Sequence, residues 1–217
     1  MNGLTPKERE AVERVRFTEA RAIQRRFGLG ARRLVMDIEN TKSLYERYAP
    51  GQQWVSGADL VEAGHINAIS WGWLDSNDVQ VRSIYTGSYD AMIEEAHAVL
   101  REAEYVIGHN FTKHDRGKLN EAFGLKNMTF PDYRIVDTLA LARKAFARTL
   151  PSGNALKDIT PHFGLGEPVD RYHLLVDDLE KGKPAAVKRL IRYSKHDIVL
   201  TKNLYVFLVE SLTGLSA

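Results

Sequence analysis

The sequence contains no cysteine, so disulfide frameworks and thiolate metal sites are excluded. It also contains no apolar run long enough to span a bilayer and no signal-peptide core near its N-terminus. We therefore expect an intracellular, cytoplasmic protein with no membrane partner. Any metal site must be built from carboxylates or histidines, and carboxylate oxygens suit hard cations such as Mg²⁺ or Mn²⁺.

Neither sign of charge dominates, since the net charge is only +2 over 217 residues. The charges are nevertheless unevenly distributed, because residues 1–33 have a net charge of +5 and the remainder has −3. A basic segment of this kind suits a phosphate-binding arm. It equally suits a solvated helix face with ion pairs between neighbouring turns. The basic residues of the segment are Lys7, Arg9, Arg14, Arg16, Arg21, Arg25, Arg26, Arg32 and Arg33.

The chain is long enough for one domain with a sizeable core, and it shows no internal repeat or linker. Near the N-terminus, Thr5-Pro6-Lys7-Glu8 has the pattern of a helix start, and Gly28 and Gly30 mark the end of that helix. The sequence therefore predicts a basic helical extension over residues 1–30 and a folded domain over residues 31–217.

Within that domain, residue periodicity predicts an α/β fold. The predicted strands cover residues 33–38, 66–74, 79–85, 105–108 and 133–136. The predicted helices cover residues 89–102, 115–123, 138–147, 155–163 and 184–212. A long loop is expected over residues 41–64. This order gives a five-stranded mixed sheet, with three antiparallel and two parallel strands, flanked by helices.

Two acids end the first predicted strand. Asp37 and Glu39 lie two residues apart, so both side chains point to one side of the strand while Ile38 points to the core. Paired anions repel each other and are costly to bury unless a cation lies between them. An exposed strand end can also carry this pair by chance, so the pair alone does not establish a metal site.

Two further acids lie at helical positions. Asp115 begins a predicted helix, where a carboxylate either caps the helix or serves a site. Tyr193 and Asp197 are four residues apart on the last helix and share an otherwise apolar stripe. A buried acid requires a partner, which is either the Tyr193 hydroxyl or a metal ion.

Taken in order, these segments resemble the motifs of the DnaQ-like, or DEDD, 3′→5′ exonucleases, whose fold is ribonuclease-H-like. The matching motifs are MDIEN at 36–40, GHNFTKHDRGKL at 108–119 and YSKHD at 193–197, with support from VDTLALAR at 136–143 and NALKDITPHFGL at 154–165. The resemblance covers about residues 33–210. Tyr193 stands four residues before Asp197, and Arg192 stands where another branch has histidine, so the chain resembles the DEDDy branch.

The resemblance implies a catalytic centre with two divalent ions, Mg²⁺ or Mn²⁺. It implies that Asp37 contacts both ions, that Glu39 and Asp197 complete one ion site, and that Asp115 supports the other. It also implies that Tyr193 orients the attacking water through its hydroxyl group. Tyrosine is a poor base at neutral pH because its ordinary pKa is about 10.

The implied substrate is a single-stranded nucleic-acid 3′ end, with DNA favoured over RNA, in proofreading, repair or replication. A DNA polymerase on a separate chain is an expected partner. Exoribonuclease activity of the same fold, a catalytically silent nucleic-acid-binding module and endonuclease activity are the alternatives. The expected substrate-binding residues are Asn40, Thr41, Asn110, Lys113 and Arg116, although each also suits an ordinary turn or a solvated surface.

Overall fold

The computed structural model of the chain describes residues 31–45, 60–146, 153–169 and 172–213. The predicted N-terminal helix lies outside these residues, and the domain boundary at residue 30 stays a prediction. None of the helices in the described ranges is long and apolar enough to cross a membrane.

A five-stranded mixed sheet forms the centre of the fold. Its strands are β1 Arg33–Asn40, β4 Ile66–Trp73, β5 Gln80–Ser83, β6 Tyr105–Gly108 and β7 Arg134–Asp137. Its order is β5-β4-β1-β6-β7, in which β1 is antiparallel to β4 and parallel to β6. β4 and β5 form the predicted antiparallel hairpin, and β6 and β7 are parallel. The predicted α/β fold, with three antiparallel and two parallel strands, is confirmed.

Helices cover both faces of this sheet. They are α1 Tyr89–Glu102, α2 Asp115–Leu125, α3 Thr138–Phe146, α4 Leu156–His162, α5 Tyr172–Glu180 and α6 Pro184–Thr213. Leu34, Met36 and Ile38 of β1 pack with residues of α1 and α2 on one face. Val35 packs on the other face with Ile198 and Tyr205 of α6. Because side chains alternate along a strand, Asp37 and Glu39 share the side of Val35, which faces α6.

Two elements differ from the sequence prediction. The predicted loop at 41–64 contains a small antiparallel pair, β2 Leu44–Tyr45 and β3 Leu60–Glu62, with residues 46–59 outside the described part. The α5 helix was not predicted. It forms because Leu175, Val176 and Leu179 are buried, and Leu175 and Leu179 pack in one cluster with β4 and α6.

Candidate active site

Three acids from two distant segments meet where the end of β1 lies beside α6. Asp37, Glu39 and Asp197 each offer a carboxylate oxygen, and these oxygens all lie within 4.8 Å of one another. The strand alternation of β1 brings the first two together, and the packing of α6 against β1 brings in the third. Oxygens at this spacing can bind a common cation.

The fourth acid, Asp115, enters from the start of α2. Asp115 is 2% exposed, and its Oδ1 accepts a hydrogen bond from the backbone N–H of Ile38 at 3.1 Å. The acid therefore ties α2 to β1 between Asp37 and Glu39. All four acids line one cleft of about 440 Å³ together with Tyr193.

The electrostatics of the cluster favour a bound cation. Burial raises the pKa of Asp37 well above its usual range, and the charges of Asp115 and Asp197 raise it further. Burial likewise raises the pKa of Glu39, with Asp37 the strongest charged contributor. Burial raises the pKa of Asp197 to about 6. Because these carboxylates repel one another in a partly dry site, the donor set fits hard divalent cations, which would offset the repulsion.

Two stacked tyrosines form one side of the acid cluster. Tyr193 interacts with Asp197 one turn away on α6, and burial near Glu39 and Asp197 raises the pKa of its hydroxyl. The Tyr172 ring of α5 stacks on the Tyr193 ring with a centroid distance of 5.8 Å. The Tyr172 hydroxyl donates to the carbonyl of Asn40 at 2.8 Å, and the Asn67 Nδ2 donates to that hydroxyl at 2.7 Å.

Tyr172 thus connects Tyr193 to the end of β1, and sequence reasoning missed it. The register between β1 and β4 shifts after Glu39, which pairs with Ala68, because Asn40 pairs with Ile66. Asn67 is therefore the extra residue of β4 at this irregularity. Asn67 is fully buried, which leaves its amide to bond with Tyr172. The available signal was the helical spacing of the apolar residues of α5, with Tyr172 in its first turn.

Sequence reasoning also missed several residues that line the acid cleft. Leu139 and Arg143 lie four residues apart on one face of α3, a spacing that could have revealed them. Burial lowers the pKa of His109, whose ring bonds to the Thr138 hydroxyl and to the carbonyl of Asn154, both at 2.9 Å. The remaining missed residues of the lining are His114, Asn154, Ala155 and Leu156.

The predicted substrate-binding residues divide into two groups. Asn110 lines the acid cleft. The other four do not lie among the residues that line it. Thr41 instead bonds to His65, whose backbone N–H donates to the Thr41 hydroxyl at 2.9 Å. Lys113 is exposed, and Arg116 lines a different cleft. Asn40 lies at the end of β1, where its carbonyl accepts the hydrogen bond from Tyr172.

The turn after β6 is held by Asp137, the last residue of β7. Its carboxylate accepts backbone hydrogen bonds from Asn110 at 3.0 Å, from Thr112 at 3.1 Å and from Leu139 at 3.1 Å. Asn110 itself has a positive φ of 66°, which asparagine tolerates better than most residues. Gly108 is required before it, since a Cβ there would lie 2.8 Å from Phe111.

The fold and the site define an α/β domain with a partly buried cluster of acids at one end of its central strand. No protein-family profile and no curated protein matches the sequence. A solved structure of similar fold is the family B DNA polymerase from the hyperthermophilic archaeon Pyrobaculum calidifontis, at a TM-score of 0.60 and 18% sequence identity. The match covers 82% of this chain and 24% of the polymerase chain, so this chain corresponds to about a quarter of that protein.

Proposed function

We propose that this protein is a metal-dependent 3′→5′ exonuclease that releases nucleoside monophosphates from single-stranded DNA ends. The observation that carries the proposal is the meeting of Asp37, Glu39 and Asp197 oxygens within 4.8 Å of one another. Asp115 lines the same cleft, which supplies the fourth acid that the sequence motifs imply. A silent binding module has no need of four mutually repelling acids, since their burial destabilises the fold.

The four carboxylates would hold two divalent cations, Mg²⁺ or Mn²⁺. Bound cations of this kind offset the acids' repulsion and stabilise the charge that develops on the attacking and leaving oxygens of a phosphodiester. Tyr193 stays protonated because the pKa of its hydroxyl is raised, so it acts as a hydrogen-bonding group and not as a base. In this role it orients the attacking water beside Asp197.

Other residues of the cleft suit the substrate. Arg143 is exposed on the α3 side of the cleft, where its guanidinium can bind the phosphate of the strand. Asn110 has its backbone fixed by Asp137, so its amide side chain can contact the terminal nucleotide. His109 stays neutral because burial lowers its pKa, and it holds the segment around Asn154 against the cleft.

DNA is the proposed substrate because a protein of similar fold is a DNA polymerase. We further propose that the protein acts in proofreading, repair or replication, with a polymerase on a separate chain as its partner. An exoribonuclease would discriminate at the sugar 2′-hydroxyl, so matched single-stranded DNA and RNA distinguish the two substrates directly.

The test is degradation of end-labelled single-stranded DNA in Mg²⁺ or Mn²⁺ by the native protein and by Asp37→Ala. A 5′-labelled strand should shorten by single nucleotides, and the variant and an EDTA control should both be inactive. Arg101→Gln, an exposed substitution on α1, serves as the matched variant that should retain activity. Cutting of circular DNA, or no metal-dependent degradation of DNA, would contradict the proposal. Faster degradation of the matched RNA would show that the substrate is RNA and not DNA.

A further inference from the structure

A second cleft, of about 500 Å³, adjoins the acid cleft. The two clefts are separated by the turn after β6, since Asn110 lines the first and Thr112 lines the second. Asp137 holds both sides of this turn through backbone hydrogen bonds. The residues of the second cleft that bear on its chemistry are Thr112, Arg116, Phe130, Asp132, Tyr133 and Asp137.

Aromatic rings form one wall of the second cleft. Phe130 packs against Phe123 of the core at a centroid distance of 5.9 Å and against Tyr133 at 5.5 Å. Phe130 remains 36% exposed although its ring packs against these two aromatic neighbours. An anchored ring with an accessible surface is a suitable platform on which a nucleobase can stack, since every base has a π face.

The polar groups of the second cleft complement a nucleotide. The Arg116 guanidinium lies 6.0 Å from the centroid of the Phe130 ring, and Arg116 is exposed in the first turn of α2. A guanidinium at this position can bind a phosphate, and exposed Asp132 can accept a hydrogen bond from a base amino group. Asp137 is less available, because backbone N–H groups already donate to both of its oxygens. A volume of about 500 Å³ is within the usual range for small-molecule sites.

We propose that the second cleft binds an unpaired nucleobase of the strand, on the 5′ side of the terminal nucleotide, with the base on Phe130 and an adjacent phosphate on Arg116. The inference rests on the proposed function, which places the 3′ end among the four acids. A strand that leaves the acid cleft past Asn110 crosses the turn at Thr112 and reaches Phe130. The cleft would therefore favour longer single strands over very short ones.

The test measures binding without cleavage, in EDTA, using labelled single-stranded DNA from about two to about eight nucleotides long. The native protein should show a step in affinity at one length within this range. Phe130→Leu should weaken binding of the longer strands by at least about fivefold and remove the step, because stacking is lost. Phe130→Tyr keeps the ring and should keep the step. Arg116→Gln should weaken binding of the longer strands. Arg101→Gln, which changes a matched exposed arginine, should leave that binding unchanged.

A base analogue such as 2-aminopurine, placed at successive positions from the 3′ end, locates the contact. Its fluorescence should be quenched at one internal position in the native protein and restored there by Phe130→Leu. Affinity of Phe130→Leu and Arg116→Gln equal to native at every length would overturn the inference, even if the native protein degrades DNA. A length step and quenching without any metal-dependent degradation would instead remove the proposed function and leave the second cleft as a binding site.

Discussion

At the scale of single residues, the acid cluster places opposite demands on stability and on function. Burial and the other carboxylates raise the pKa of Asp37, so its charged form is disfavoured in the folded protein. Because the native state then holds a proton more tightly than the unfolded chain, the metal-free cluster destabilises the fold increasingly as pH rises above the unfolded pKa. A bound cation reverses this penalty, and we expect Mn²⁺ to raise the unfolding temperature.

Tyr193→Phe should reduce the turnover number by about 100-fold, because the hydroxyl that orients the water is lost. Mn²⁺ binding should be largely preserved, since the four carboxylates remain. Steady-state kinetics on a single-stranded oligonucleotide, together with a Mn²⁺ titration, measures both effects. A variant with full activity would show that the hydroxyl has no such role.

Tyr172→Phe should lower the turnover number several-fold with little change in KM. The substitution keeps the ring stacked on Tyr193 but removes the hydrogen bond donated to the Asn40 carbonyl and the one accepted from Asn67, which fix the end of β1 beside Glu39. Losing these bonds should also cost about 1 kcal/mol of unfolding free energy.

Tyr85→Phe is the matched control for this prediction, because Tyr85 also interacts with Asn67. Tyr85→Phe should lower the free energy of unfolding but leave the turnover number unchanged. If both variants lose turnover in proportion to stability, Tyr172 supports the fold and does not position Tyr193.

At the scale of elements, Asp137 joins three of them. It ends β7, caps the start of α3 through Leu139 and holds the turn at Asn110 and Thr112. Asp137→Ala should lower the unfolding free energy by about 2 kcal/mol, as for a strong helix cap, and should reduce activity because the Asn110 turn is released.

Ser88→Ala provides the comparison for Asp137→Ala. Ser88 caps α1 by accepting a hydrogen bond from Ala91 N at 3.1 Å, and it lines neither cleft. Its loss should cost about 1 kcal/mol with the specific activity at moderate temperature unchanged. Denaturant unfolding measures the stability that each variant loses, and nuclease assays measure its activity. A loss of activity in Asp137→Ala alone would show that Asp137 also supports the site.

Much of the element order could be predicted from sequence because local periodicity determines it. The alternation of β1 placed Asp37 and Glu39 on one side, and the four-residue spacing of Tyr193 and Asp197 placed them on one helix face. The α5 helix and Tyr172 were missed because their role depends on packing against β4 and α6. Arg116 was predicted to contact phosphates because it follows Asp115; it lines the second cleft, and its role in binding stays a prediction.

At the scale of the whole molecule, the fold is similar to about a quarter of one DNA polymerase chain, and residues 1–30 stay outside the described part. We predict that deleting residues 1–28 weakens binding to single-stranded DNA and makes the dependence on salt shallower. Residues 1–28 contain seven Lys/Arg and four Glu, a net charge of +3, so the log–log slope should fall by about 2 units if these charges contact phosphates. Unchanged affinity and slope would show that this segment does not bind the strand.

We propose that acids from three separate segments of the chain hold divalent cations in one cleft. Anomalous diffraction from crystals of the native protein grown with Mn²⁺ tests it most directly. The expected result is a pair of Mn²⁺ peaks between the carboxylates of Asp37, Glu39, Asp115 and Asp197, both lost in Asp37→Ala. Crystals that bind Mn²⁺ elsewhere but show no peak at these four acids would contradict the claim.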